Sequence, residues 1–176
     1  FLLKKSDVYL LRWFTPKTEV KLCGHATLAS AHILFEKGFY KMNELINFDT
    51  KSGILTARKC NNLIELNFPQ YSVEECEGNE IINKALDINP TFVGKNDNLY
   101  LIEIDNVEEL IALKPDFRLL KQSDVGEILV TAKSNDKYDF YSRFFAPSIG
   151  IDEDPVTGFA HCFLANYWSK ILKKNK

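Results

Sequence analysis

The chain has 176 residues, enough for one ordinary domain or two small ones. Its 45% hydrophobic and 26% charged residues are those of a globular protein, and 22 Lys+Arg against 24 Asp+Glu leave a net charge of -2. That balance argues against a nucleic-acid binder, which neutralises phosphates with a basic surface or stripe.

The one dense basic run, residues 170–176, reads as a solvated helix end. No apolar run approaches the roughly 18 residues that span a bilayer. Phe1-Leu2-Leu3 meets Lys4 and Lys5 at once, which does not suit a secretory signal. The expectation is therefore a cytoplasmic chain with neither nucleic-acid nor membrane partners. The first residue is not Met and the opening residues read like the end of a strand, so a piece of a longer protein is expected. Cys23, Cys60, Cys76 and Cys162 lack the C-x-x-C spacing of zinc ribbons and thioredoxins. They are expected to be free thiols in a reducing compartment.

In chain order, Val8 to Phe14 is aromatic and branched and stops at Thr15-Pro16, which predicts a strand and a turn. Ala26 to Lys37 is predicted helical: Leu28, Ala31, Leu34 and Phe35 recur at three- and four-residue intervals, and Gly38 stands at the C-terminal cap. Its many small residues predict a helix enclosed on most sides. Leu45 to Thr50, Ile54 to Cys60 and Leu63 to Phe68 read as an antiparallel meander turning at 51–53 and 61–62. Acidic residues 71–78 read as a link, followed by a short helix from Glu80 to Leu86.

Further on, a strand is predicted over Leu99 to Ile104 and a helix over Val107 to Leu113. Glu127 to Ala132 and Tyr138 to Phe145 read as paired strands, and a long helix over Thr157 to Leu172 closes the chain. This irregular alternation predicts an α+β fold rather than a doubly wound parallel sheet. The expected domains are residues 1–75 and 76–176.

The sequence partly repeats itself. Arg12-Trp13-Phe14-Thr15-Pro16 matches Arg143-Phe144-Phe145-Ala146-Pro147 at an offset of 131 (residue 12 to residue 143). At that offset the following loops are equally long, Cys23 falls opposite Asp154 and Gly24 opposite Pro155, and both loops lead into helices. Either both halves share a common supersecondary unit, or the protein is pseudo-twofold, with two related domains facing each other across a cleft. In the second case both helix starts aim exposed N–H groups and positive dipole ends into the cleft. Such a pair would receive a carboxylate, or the enolate-like charge left when a proton leaves carbon. Gly24 and Gly158 would let backbone approach a ligand closely, and Cys23, His25 and Asp154 can all carry protons.

The same two loops resemble a known family. Arg12 to Pro16, Glu19-Val20 and Leu22-Cys23-Gly24-His25-Ala26-Thr27-Leu28-Ala29-Ser30-Ala31-His32 are similar to the first signature of the phenazine-biosynthesis PhzF-like proteins. Ser142 to Pro147 and Glu153-Asp154-Pro155-Val156-Thr157-Gly158, continued by Ala160-His161, resemble the second. The likeness runs through nearly the whole chain. It implies a diaminopimelate epimerase-like fold: two pseudo-symmetric domains, each a curved, mostly antiparallel sheet wrapped around a central helix. It also implies a cofactor-independent isomerase or epimerase of biosynthetic type, commonly homodimeric, that moves a proton on carbon of a small carboxylate-bearing substrate held between the lobes.

By position, the resemblance makes His25 and Asp154 the catalytic candidates, with Cys23, Gly24, Thr157, Gly158 and Phe159 as substrate contacts. It implies no metal and no cofactor. Cys23 falls where the epimerase branch holds a catalytic thiol. Two features depart from the family pattern. Phe159 stands where the family usually has a Ser able to bond the substrate, and a phenyl ring donates no hydrogen bond. The principal acid/base Glu of the isomerase branch would lie in a segment whose final residue Phe1 resembles. These departures motivate the alternative of a non-catalytic small-molecule-binding or interaction protein that keeps the fold.

Several of these residues also suit purely structural roles. His32, two turns beyond His25, reads as a packing residue, because the pair lacks the i, i+4 spacing of a metal-binding helix. His161 reads as structural, and Asp154 doubles as a helix cap. A cysteine-hydrolase reading of Cys23 finds no local protease signature. Gly24 and Gly158 are too isolated for a phosphate loop or dinucleotide fingerprint.

Overall fold

The computed structural model describes residues 1–15 and 17–174; Pro16, which closes the first repeat motif, and the last two residues of the basic run lie outside the described residues. The chain forms two compact units. One comprises Phe1–Gln70 with Thr157–Cys162, the other Tyr71–Val156 and the chain from Phe163 on.

The first unit is built on a five-stranded sheet of β1 (Leu2–Lys5), β2 (Val8–Leu11), β5 (Leu45–Thr50), β6 (Gly53–Cys60) and β7 (Leu63–Asn67), in that order. Its pairs are antiparallel except β2 with β5. Ile46 registers with Ala57 and Phe48 with Leu55, so these four buried side chains share one face, as period-2 alternation requires. The predicted strand over residues 8–14 divides at Arg12: Trp13–Phe14 (β3) leaves the main sheet and pairs with Glu19–Val20 (β4).

Helix α1 (Gly24–Glu36) packs on β6 and β7. Its end is specified by Gly38, whose φ of +72° suits glycine. The Phe39 N–H donates to Leu34 O and the Gly38 N–H to Phe35 O, the paired bonds of a Schellman stop. The expected enclosure of α1 is corrected. Gly24, Thr27, Ala31, Leu34 and Phe35 form one buried stripe, whereas His25, Leu28, Ala29, His32 and Ile33 face outward. Small residues leave the stripe narrow, and a narrow stripe needs only one sheet face to cover it. His32 is accordingly exposed rather than packed.

The second unit carries a six-stranded sheet ordered β13 (Ile151–Asp154), β12 (Phe140–Ala146), β11 (Glu127–Lys133), β10 (Leu99–Ile104), β9 (Phe92–Asn96), β8 (Glu74–Glu75). Only β10 with β11 is parallel. Ile102, Ile104, Ile128, Val130 and Ala132 build one core with α2 (Glu80–Leu86), α3 (Val107–Ala112) and α4 (Phe117–Lys121). Leu101, Leu129 and Thr131 are buried on the opposite side. There the Trp168 indole of α5 (Gly158–Leu172) donates to Thr131 Oγ1 at 3.0 Å and stacks on Phe140. Burial of both faces explains why β10 and β11 read as nearly unbroken apolar runs.

Candidate functional site

The first repeat loop is held from three directions. Arg12 and Lys51 both pair with the Glu19 carboxylate, and the Ser52 hydroxyl donates to Lys21 O at 2.9 Å. The Arg12 guanidinium, and after it Lys51, pull the Glu19 carboxyl down to about 2. Lys51 and Ser52 are the turn between β5 and β6, so the meander fixes the approach to Cys23.

Cys23 occupies the N-cap position of α1 in extended conformation. Its carbonyl accepts from the Thr27 N–H at 3.2 Å and from the wholly buried Thr27 hydroxyl at 2.6 Å. Cys23 Sγ lies 3.5 Å from His25 Nε2 and 3.7 Å from Nδ1. Thiol and imidazole thus meet at the helix start, with the His25 ring exposed.

Residues 157–162 belong to this same unit, and they bring the second signature's glycine against the first. A Cβ added to Gly24 would lie 3.2 Å from Gly158 Cα, and one added to Gly158 would lie 3.4 Å from Gly24 Cα. Each glycine is the first residue of its helix, so α1 and α5 start at one backbone-to-backbone contact. The positive dipole ends of both helices therefore lie at this contact, and helix starts favour a nearby anion. His161, one turn into α5, is exposed, and its Nδ1 lies 3.2 Å from Thr157 O. A proton on Nδ1 in that bond leaves Nε2 as the basic nitrogen.

Asp154 belongs to the second unit, where it ends β13 opposite Phe144. Its Oδ1 accepts from the Val156 N–H at 3.2 Å, a local turn ahead of α5. The neighbouring Glu153 receives a two-pronged bond from Arg143: Nε to Oε1 at 2.7 Å and a terminal guanidinium nitrogen to Oε2 at 2.8 Å. Both units therefore place an arginine–glutamate pair just before the loop that holds a candidate group. Sequence reading found the repeated arginines, Arg12 and Arg143, but not their partners. Glu19 and Glu153 do not coincide at the repeat offset, so only strand pairing reveals the correspondence.

The predicted residues thus fall into two sets. Cys23, Gly24, His25, Thr157, Gly158 and Phe159 lie in the first unit, with Gly24 touching Gly158, and Asp154 lies in the second. All four cysteines are free thiols, and burial pushes the Cys162 thiol up to about 11. Among the described residues no group of three or more His, Cys, Asp or Glu side chains is arranged to hold a metal ion. No helix among them is long and apolar enough to cross a membrane.

The profile of the family described as "Phenazine biosynthesis-like protein" matches residues 1–176. The chain is 54% identical over 179 residues to an uncharacterized isomerase of Halalkalibacterium halodurans, covering 100% of this chain and 67% of that protein. A crystal structure of a phenazine biosynthesis protein, PhzF family, from Enterococcus faecalis superposes with a TM-score of 0.84 at 36% identity, covering 99% of this chain and 66% of that one. A Pseudomonas aeruginosa structure described as a "Predicted Epimerase" superposes at 0.68 with 17% identity, over 100% of this chain and 67% of that one, a likeness of fold alone. The chain spans about two thirds of the length of the curated relatives it matches.

Proposed function

The chain belongs to the phenazine biosynthesis-like protein family, and from that premise we propose that it serves a cofactor-independent isomerase that moves a proton on carbon of a small carboxylate-bearing metabolite. The observation that carries this reading is the contact of Gly24 with Gly158, which starts two helices at one point beside the Cys23–His25 pair. Converging helix N–H groups suit a substrate carboxylate and hold the enolate-like charge that builds as the C–H bond breaks. Electrostatic stabilisation counts for most where charge develops, so the site favours the transition state over the ground state.

His25 and Asp154 are the proton-handling groups, one an imidazole and the other a carboxylate. Cys23 orients the His25 ring from the helix start. Thr157, Gly158 and Phe159 contact the substrate. The whole protein works as a homodimer in the cytoplasm. Relatives named as isomerases support the reaction type.

The test is uptake of solvent deuterium into a panel of small amino and hydroxy acids, using the full-length protein. Uptake at a carbon next to a carboxylate, lost in His25→Ala and Asp154→Asn, is the expected outcome. A folded protein that labels none of the panel overturns the proposal.

Phe159 favours a second reading, a non-catalytic binder that keeps the fold, because its ring cannot make the hydrogen bond the family's usual Ser makes. That reading expects acid binding by calorimetry without deuterium uptake, and uptake restored by Phe159→Ser would argue against it.

A further inference from the structure

Edge strand β13 has the sequence Ile151-Asp152-Glu153-Asp154, three acids in four residues, and little backbone pairing holds it. Only Phe144 with Asp154 and Ala146 with Ile151 are in register, and the register shifts between them. Such irregularities re-aim side chains at sheet edges. The strand is instead tied down through its side chains. Lys121 pairs with Asp152 at 2.6 Å, and Arg143 grips Glu153 with two parallel bonds of 2.7 and 2.8 Å. Another Arg143 nitrogen donates to Leu110 O at 3.1 Å and Leu113 O at 2.8 Å, so the fork is itself anchored to the end of α3.

We infer that Arg143 and Glu153 are the positioning pair for Asp154: by fixing Glu153 toward one side of β13 they aim the next side chain to the other. Successive residues of a strand point to opposite faces, so a fork on residue 153 sets the direction of residue 154 without touching the substrate. A bidentate arginine–carboxylate pair fixes angle as well as distance, which a lysine point charge does not. The first unit also pairs an arginine with a glutamate ahead of Cys23 and His25, Arg12 with Glu19 through its Nε, with Lys51 on the other carboxylate oxygen.

The inference rests on Asp154 handling protons in the proposed isomerase, and the experiment separates the two. The full-length protein is compared with Glu153→Gln, Arg143→Lys, Asp154→Asn and the double variant Glu153→Gln/Asp154→Asn. Glu153→Gln and Arg143→Lys each lower kcat about 10- to 100-fold, as misplacement of a reacting group does. KM stays within about threefold, because substrate binding is not what is lost. The double variant turns over no more slowly than Asp154→Asn alone, because the fork acts through Asp154.

Wild-type turnover in Glu153→Gln, or losses that multiply in the double variant, would overturn the inference. Should the unmodified protein turn over no acid at all, the isomerase reading fails. Positioning is then judged by carbon-13 NMR of the Asp154 carboxyl, identified by its loss in Asp154→Asn. That signal moves in Glu153→Gln and Arg143→Lys while other aspartates hold still; an unmoved Asp154 signal refutes the pair's role. If Glu153→Gln does not fold, Arg143→Lys, which keeps the cation beside Glu153, carries both readouts.

Discussion

Gly24 and Gly158 touch through their backbones: the space a Cβ on Gly24 would need lies 3.2 Å from Gly158 Cα and 3.5 Å from the Phe68 ring. The contact is asymmetric, since a Cβ on Gly158 meets Gly24 Cα at an ordinary 3.4 Å. Neither glycine has a positive φ, so the constraint is space and not backbone conformation.

Gly24→Ala should therefore cost more than Gly158→Ala. Overpacking a tight contact costs about 1–3 kcal/mol, and the Gly158 methyl meets only van der Waals contact. Urea denaturation of both variants measures the difference. Equal stabilities would mean that the two helix starts part without strain.

The Glu19 carboxyl, held down to about 2 by Arg12 and Lys51, makes stability depend on pH in a defined window. Its native value lies below its ordinary value of 4.5, so the unfolded chain binds the extra proton in between. The contribution is present in full above 4.5 and is lost as pH falls toward 2. The melting temperatures of wild type and Glu19→Gln should differ at pH 7 and converge by the acid end of that window. A constant difference down to the lowest pH would show that the ion pairs do not supply it.

The cysteines should separate by reactivity. Cys162 is buried, and burial raises its thiol to about 11, so at pH 8 it presents almost no thiolate. Cys23, Cys60 and Cys76 are only partly buried. Iodoacetamide at pH 8, read by mass spectrometry, should label Cys162 last and release it to labelling only on unfolding. Early modification of Cys162 in folded protein would contradict its placement.

What could be read in the sequence followed local signals. Helix α1 declared itself by apolar spacing and its end signal, with Gly38 where the stop was expected, at φ +72°, and helices α2, α3 and α5 also lie where the sequence placed them. The meander β5–β6–β7 was likewise legible from alternation between turns. Strands β4, β8, β9 and β13 and helix α4 were not, and β8 lies in the acidic stretch expected to be a link. Strand β13 is Ile-Asp-Glu-Asp, which no strand propensity favours; it exists because Lys121 and Arg143, distant in sequence, neutralise it. Helix α4 has only five residues, and its start is set by the Asp116 carboxylate accepting from the Leu119 N–H. β9 is interrupted by a glycine and a lysine and takes its place from β10 alongside it. The repeat located both candidate loops, yet the carboxylates that hold them came only from the pairing of strands.

Thr131 provides the last test, because its hydroxyl joins two elements. It donates to Tyr141 O at 2.7 Å and accepts from the Trp168 indole at 3.0 Å, with Thr131 and Trp168 both buried. Replacing Thr131 by Val keeps the shape and strands a donor and an acceptor in a dry core. Leaving such groups unsatisfied costs about 1–3 kcal/mol, whereas Thr131→Ser keeps both bonds and loses only a methyl. Denaturant titration should thus rank wild type above Thr131→Ser, and Thr131→Ser above Thr131→Val. Tryptophan fluorescence should report the same order, because the bond being removed is to the indole itself. If Thr131→Val proved as stable as wild type, the hydroxyl bridge between β11 and α5 would not be what fixes the helix on the sheet.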